Sequence, residues 1–242
     1  MSKIVVLSTD TPHHRYFLNS LEAAGLPLQA YLFETKRATP PFPVGPVFEA
    51  EEDAFEREHF FISVPAELQA AKIHTLDKAN SAAGLELLRT LQPDFGVVFG
   101  TGKLSAEVIR SFRHGLINVH RGIAQAYRGL DSDLWAIYHG DYANLGVTIH
   151  RVEEALDTGD VVYQQRMPLH PGMRTSHIRY YTTLIATELV AQALRDYLAG
   201  GLPGQPQQQL GRYYSFMPLE LKRWVTTRFD RHCAAAAPIE KH

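Results

Sequence analysis

The chain has 242 residues and a formal net charge of −2, with 24 lysines and arginines against 26 aspartates and glutamates. This length fits one large domain with a short appendage, and the charge balance excludes a general basic surface for nucleic acid. The apolar runs are far shorter than the roughly 20 residues of a membrane span. The N-terminal MSKIVVLSTD shows no signal-peptide pattern, and the single cysteine, Cys233, excludes an internal disulfide. Composition predicts a cytoplasmic α/β enzyme.

Strands alternate with helices along most of the sequence. Strands are predicted at 3–7, 28–33, 72–76, 95–100, 115–120, 146–152 and 160–169, and helices at 12–24, 48–61, 78–91, 105–112, 131–139 and 175–199, with a proline-rich loop at 36–47. This order predicts a mostly parallel sheet of about seven strands with helices on both faces. The last strands follow one another without a helix, so that edge is expected to be antiparallel. We expect a catalytic domain at 1–200, then a linker and short tail at 201–242, disordered at its end.

The first strand is followed by LSTDTPHHRYF, which contains no glycine. A dinucleotide-binding turn and a phosphate-binding P-loop both need glycines there, because the backbone must approach the phosphates closely. The sequence therefore argues against nicotinamide and P-loop enzymes. His13 and His14 follow the carboxyl end of this strand, where open α/β sheets bind ligands. They are either substrate contacts or solvent-facing residues of a first helical turn.

The stretch GLINVHRGIAQAYRG places Asn118 and His120 on one face at the end of a predicted central strand. Asp157 lies in the turn EEALDTGD, where the preceding Leu156 is expected to be buried and to fix the turn. An imidazole can act as general acid or base, an amide can stabilise an oxyanion, and a carboxylate can raise the imidazole pKa. With no nucleophilic serine or cysteine pattern, this set suits direct attack by a substrate amine on an acyl group. The alternative is a structural histidine beside a common turn.

The segment INVHRGIAQAYRGLDSDLWAIYHGDYANLGVTIHRVEEALDTGDVVYQ, residues 117–164, resembles the core of the 10-formyltetrahydrofolate-dependent formyltransferases. Four motifs occur in the family's order: Asn-x-His, Tyr-Arg-Gly, Gly-Val-Thr and Leu-Asp-x-Gly. The resemblance implies the Rossmann-like formyltransferase fold, with 10-formyltetrahydrofolate as co-substrate and no metal. It further implies that Asn118 holds the formyl oxygen, that His120 is the general acid/base, and that Asp157 orients His120 and assists proton removal from the amine.

The resemblance also implies where the folate binds. The segments that line the folate-binding site of the family match two segments of this chain. They lie at Phe99, Gly100, Thr101, Gly102 and Leu104 and at Val152 and Glu153. The alternative for the first segment is a tight strand–helix turn. Many members continue Asn-x-His with Pro-Ser-Leu-Leu-Pro, whereas this chain has RGIAQ at 121–125. The acceptor-side loop therefore differs from that of the commoner members.

Three branches of the family differ in their acceptor. The glycinamide ribonucleotide enzymes have a glycine-rich phosphate loop that this chain lacks, and the methionyl-tRNA enzymes add a sizeable RNA-binding domain. The sugar-nucleotide branch often carries a short tail with a Tyr-Tyr-Ser-like strand, which GRYYSFMP resembles. We therefore expect a nucleotide-linked amino sugar as acceptor, a role in bacterial surface polysaccharide (lipopolysaccharide O-antigen) synthesis, and a homodimer. The alternatives are a glycinamide ribonucleotide or other small-amine formyltransferase, a hydrolase of the folate, and a non-catalytic folate-binding domain.

Candidate acceptor contacts are His13, Tyr127, Arg128 and Trp135. Arginine pairs well with phosphate and tryptophan can stack on a base or sugar. For Trp135 the alternative is a place in the core. For Arg128 it is an ion pair with Asp131 or Asp133. We expect Tyr213 and Tyr214 either to contact the ligand, or to pack at the end of the domain or in a dimer interface.

Overall fold

The computed structural model describes residues 2–36, 38–62 and 67–235. Within them the strands are β1 (Ile4–Ser8), β2 (Leu28–Glu34), β3 (Ile73–Leu76), β4 (Phe95–Phe99), β5 (Leu116–His120), β6 (Tyr127–Gly129), β7 (Gly146–Arg151), β8 (Val161–Arg166) and β9 (Arg212–Tyr214). The helices are α1 (Pro12–Ala23), α2 (Glu49–Phe60), α3 (Ala82–Leu91), α4 (Ala106–Arg110), α5 (Ser132–His139), α6 (Ile178–Leu198) and α7 (Leu219–Ala235). No helix in these three ranges is long and apolar enough to cross a membrane.

One seven-stranded sheet, in the order β3-β2-β1-β4-β5-β7-β8, forms the centre of the molecule. Strands β1 to β5 pair in parallel, whereas β7 pairs antiparallel with β5 and β8 antiparallel with β7. The predicted α/β architecture with about seven strands is therefore confirmed, as is the antiparallel edge. Because β5 lies between β4 and β7, its carboxyl end opens in the interior of the sheet rather than at an edge.

Helices cover both faces of the sheet, as predicted. Strands β1 and β4 are buried along their whole length, as expected for strands covered on both faces. One face packs a large apolar cluster against α1 and α6, which contribute residues such as Phe17 and Val190. The other face packs a smaller cluster against α3 and α4 through Leu88 and Val108.

The segment after residue 200 packs closely against the rest of the molecule. Strand β9 pairs in parallel with β6, which lies in a segment predicted only as a loop. Helix α7, which the sequence analysis does not predict, packs on α5 and buries Val225 and Phe229 completely in the larger core cluster. The tail thus contributes to the main hydrophobic core. The disorder predicted at the end of the tail concerns 236–242, which lie outside the described residues.

Gly129 is where β6 and β9 approach most closely. Its φ is +90°, and a Cβ atom there would lie 2.0 Å from the carbonyl oxygen of Tyr214. We expect Gly129→Ala to lower the free energy of unfolding by about 3 kcal/mol or more, since backbone strain and a rigid backbone clash add together. Gly115→Ala is the matched control, because Gly115 has a φ of +83° and open space around it. It should cost only about 1 kcal/mol in urea unfolding; an equal loss in both variants would contradict the close approach.

Candidate active site

Asn118 and His120 lie side by side at the carboxyl end of β5, as the period of the strand predicts. In the antiparallel register with β7, Asn118 lies opposite His150 and His120 opposite Thr148. The Asn118 Nδ2 atom is 3.1 Å from His150 Nε2. His150 is a site residue that the sequence analysis does not single out. In the sequence it is marked only by its place on the alternating strand GVTIHRV. The antiparallel register of β7 with β5 is what brings it to the site.

Asp157 reaches the same place from the turn between β7 and β8. It adopts a left-handed backbone with φ 54°, and its carboxylate is buried. Its Oδ2 atom accepts a hydrogen bond from the backbone N–H of Gly129 at 2.8 Å and lies 3.7 Å from His120 Nδ1. Its Oδ1 atom lies 3.3 Å from His150 Nε2. The structure therefore brings Asn118, His120 and Asp157 together, with His150 as a fourth member.

The turn that carries Asp157 is fixed by hydrogen bonds from side chains to its carbonyls and not by burial of the Leu156 side chain. The side chain of Leu156 is 37% exposed, so the expectation of a buried leucine is wrong. Its carbonyl instead accepts from Arg128 Nη1 at 3.1 Å. The amide of Gln207 donates to the carbonyls of Asp157 and Gly159, both at 2.9 Å. A turn can be held through its carbonyls without burying a side chain, which leaves Leu156 at the surface.

The hydrogen bonds of His120 define its tautomer. The Nε2 atom lies 2.8 Å from the carbonyl oxygen of Tyr127, which can only accept, so Nε2 carries the proton. The Nδ1 atom, with its lone pair, then faces Asp157. Burial lowers the pKa of His120 below 6.5, although the charge of Asp157 opposes this. The imidazole is therefore neutral near pH 7 and has a basic nitrogen on the side of the carboxylate.

Asp157 is ionised at neutral pH. Burial raises its pKa, but the hydrogen bond from His150, the charge of His120 and the N–H of Gly129 together lower it to about 2. An ionised, buried carboxylate next to a neutral imidazole stabilises the imidazolium that forms when a proton is taken up. The amide of Asn118 lies on the same face, where it can donate to a developing oxyanion.

The two segments predicted to line the folate site lie next to β5, the strand that carries Asn118 and His120. Phe99 is buried and ends β4, and the N–H of Gly102 donates to Glu34 Oε2 at 3.1 Å. Leu104 and Val152 pack in the same apolar cluster under α4. Gly100 and Thr101 form the turn after β4, and Glu153 is exposed at the start of the turn after β7. Their role in folate binding stays a prediction.

The four predicted acceptor contacts all make intramolecular contacts in the structure. His13 Nδ1 lies 3.4 Å from Glu56 Oε2, and the Tyr127 hydroxyl donates to Asp141 at 3.0 Å. Trp135 donates to the carbonyl of Ser215 at 2.8 Å and stacks on the ring of Tyr214. Their predicted contacts with a substrate remain predictions.

Arg128 has two backbone partners. Besides the carbonyl of Leu156, its Nε donates to the carbonyl of Gly211 at 2.6 Å. It therefore ties the tail to the Asp157 turn, rather than pairing with Asp131 or Asp133. Tyr213 is 51% exposed on the outer side of β9. In the described parts of the chain, no group of three or more histidine, cysteine or acidic side chains is arranged to hold a metal ion.

Comparison with known proteins identifies the family of this chain. The family model described as formyl transferase matches residues 32–192. The chain belongs to the formyl transferase family. The family predicted from the sequence is therefore confirmed, whereas the sugar-nucleotide branch stays a prediction.

The relatives differ in their acceptors. The methionyl-tRNA formyltransferase of Syntrophus aciditrophicus is 32% identical over 146 residues, which is 59% of this chain but 46% of that protein. This chain thus spans less than half the length of that relative. A 4-N formyltransferase from Francisella tularensis has the same fold, with a TM-score of 0.64, 17% identity, and coverage of 99% of this chain and 90% of that one.

A second solved structure was determined with ligands bound. It is the formyltransferase PseJ from Anoxybacillus kamchatkensis, in complex with UDP-4,6-dideoxy-4-formamido-L-AltNAc and tetrahydrofolate. Its TM-score is 0.57 at 17% identity, over 97% of this chain and 100% of that one. Both solved structures show the fold, and the family match shows membership of the formyl transferase family.

Proposed function

We propose that this protein transfers the formyl group of 10-formyltetrahydrofolate to the amine of a nucleotide-linked amino sugar. The observation that carries the chemistry is the convergence of Asn118, the neutral Nδ1 of His120 and the ionised Asp157 within one buried site. These groups supply an oxyanion donor, a base and a counter-ion for the protonated base.

The reaction follows from these three groups. The neutral amine of the acceptor attacks the formyl carbon, and a C–N bond forms. The amide of Asn118 stabilises the oxygen as it gains negative charge, and Asp157 and His120 Nδ1 take the proton released by the amine. The C–N bond to the folate N10 then breaks, and the same proton passes to N10. No covalent intermediate with the protein is needed, which agrees with the absence of a nucleophilic serine or cysteine from this set.

The folate is proposed to bind between Phe99–Leu104 and the turn that starts at Val152 and Glu153. Leu104 and Val152 supply apolar surface, and the turn backbones supply hydrogen-bonding groups for a pterin. Both segments lie next to β5, the strand that carries Asn118, so a formyl group on a folate bound there is proposed to reach the catalytic residues. The PseJ structure, which contains tetrahydrofolate, supports a folate co-substrate for this fold.

Two observations support an amino sugar as acceptor. The fold matches the 4-N formyltransferase and PseJ over nearly the whole chain, including the tail. The net charge of −2 gives no basic surface of the kind that tRNA requires. The product would enter bacterial surface polysaccharide, such as the lipopolysaccharide O-antigen, and we place the enzyme in the cytoplasm as a homodimer. Methionyl-tRNA is the second candidate, because the relatives in sequence are formyltransferases of that acceptor.

The test is an acceptor panel. Purified protein with 10-formyltetrahydrofolate is offered GDP-, dTDP- and UDP-linked amino sugars, glycinamide ribonucleotide and methionyl-tRNA, and mass spectrometry follows the gain of one formyl group. We expect one sugar nucleotide to be formylated. Formylation of methionyl-tRNA or glycinamide ribonucleotide alone would overturn the proposed acceptor. Formate release without any acceptor would indicate a hydrolase.

A further inference from the structure

Arg121 directly follows the catalytic histidine and is held on a rigid turn. On one side, His120 is fixed by β5 and by its bond to the Tyr127 carbonyl. On the other side, the N–H of Gly122 donates to the carbonyl of His120 at 3.1 Å, and the carbonyl of Gly122 accepts from Thr148 Oγ1 at 2.7 Å. The backbone of Arg121 is therefore fixed directly after His120.

The side chain of Arg121 is partly buried, yet it has no hydrogen-bond or ion-pair partner among residues 2–36, 38–62 and 67–235. Two other partly buried arginines have several hydrogen-bond or ion-pair partners. Arg128 donates to two carbonyls, and Arg179 pairs with Glu52, Asp53 and Glu56 of α2. A guanidinium that is partly desolvated and has no direct partner is suited to bind an anion from outside the chain.

Two buried acidic groups lie within electrostatic range of Arg121. Glu52 is buried with its carboxylate 2.7 Å from Arg179 Nη1, and burial raises its pKa to about 8, against the opposing charges of Arg179 and Arg121. Burial also raises the pKa of Asp131, while the N–H of Met217 and the charge of Arg121 lower it. Because burial favours the neutral form of both carboxyl groups, they only partly offset the positive charge of Arg121.

We propose that Arg121 binds a phosphate of the acceptor, so that this site holds the nucleoside diphosphate part of a nucleotide-linked sugar. Both phosphates of such an acceptor are ionised at pH 7, and a guanidinium pairs with a phosphate through two parallel hydrogen bonds. This assignment rests on the proposed function, since it names how the same site holds the same class of acceptor.

Steady-state kinetics with the acceptor identified by the panel test the assignment. Arg121→Gln should raise KM for the acceptor about 10- to 100-fold, as expected for loss of a charge-assisted hydrogen-bonded pair, with kcat and KM for the folate nearly unchanged. Arg121→Lys should recover only part of the affinity, because an ammonium cannot make the bidentate contact. Arg89→Gln on α3, where Arg89 pairs with Glu86 at the surface, is the control and should behave as wild type.

Calorimetry with nucleoside diphosphates separates this inference from the proposed function. UDP, GDP and dTDP are titrated into the wild type, Arg121→Gln and Arg89→Gln. We expect at least one diphosphate to bind the wild type and Arg89→Gln equally, and to bind Arg121→Gln about tenfold or more weakly. Equal affinity in wild type and Arg121→Gln, or no binding to the wild type, would overturn the inference even if a sugar nucleotide is formylated. Arg121-dependent binding would support it even if no sugar nucleotide is formylated.

Discussion

Replacing His120 with alanine is expected to lower kcat by about 10²- to 10⁴-fold, the usual contribution of a general acid/base. The neutral Nδ1 atom of His120, at the end of β5, lies 3.7 Å from Asp157. His150 cannot replace it, because its Nε2 atom already contacts both Asn118 and Asp157. Turnover of the purified variant with 10-formyltetrahydrofolate and the identified acceptor measures the effect.

A second variant keeps this test independent of folding. Alanine at 120 leaves the Tyr127 carbonyl without its donor, which costs about 1–3 kcal/mol of stability. His120→Gln retains an amide that can donate to this carbonyl but cannot take up a proton, so it should fold like the wild type and still lose turnover. His74→Ala on β3, at the far edge of the sheet, is the control for histidine removal. Turnover near that of the wild type in His120→Gln would remove His120 from the mechanism.

Asp157→Asn is expected to lower kcat by about 10²-fold or more and to move the acid limb of the pH–rate profile to lower pH. The charge of Asp157 raises the pKa of His120, which burial holds below 6.5. Without that charge the pKa of His120 falls further, so His120 stays neutral to a more acidic pH. The pH dependence of kcat/KM for wild type and variant measures the shift. An unchanged acid limb would show that Asp157 does not act on His120.

The same substitution should change the acid stability of the fold. With a pKa of about 2 against an ordinary 3.8, ionised Asp157 stabilises the folded state above pH 3.8, and this stabilisation is lost as the pH falls towards about 2. Asp157→Asn should remove this part of the acid dependence in urea unfolding. The asparagine can still accept from the N–H of Gly129, so the turn is retained. Asp160→Asn, at the start of β8, is the control for loss of a nearby charge.

Local patterns in the sequence predicted most of the sheet and part of the site. The apolar runs of β1 and β4 and the alternation of β7 identify their strands, because burial on one or two faces imposes these patterns. The period of two placed Asn118 beside His120. The start of α3 was placed too early, at 78, because the hydroxyl of Ser81 accepts from the N–H of Gly84 and caps the helix at that point.

Contacts between distant segments were not predictable in the same way. His150 reaches Asn118 only through the antiparallel register of β7, which no local pattern specifies. The pairing of β6 with β9 joins segments more than 80 residues apart in the chain, as in the Arg128 bond to Gly211. Helix α7 had a usable signal, since Val225, Phe229 and Cys233 recur at intervals of four on one face and are all buried.

The hydrogen bond from the Gly129 N–H to Asp157 ties this carboxylate to a very small sheet. Strands β6 and β9 have three residues each, so their pairing opens at a lower free energy than the seven-stranded sheet. When they separate, Asp157 loses the donor that holds it beside His120, although the rest of the molecule remains folded. Only the fraction of molecules with this pairing closed is competent, and the apparent affinity for acceptor is reduced by that fraction. The C-terminal residues thereby control how many molecules in the population hold an assembled site.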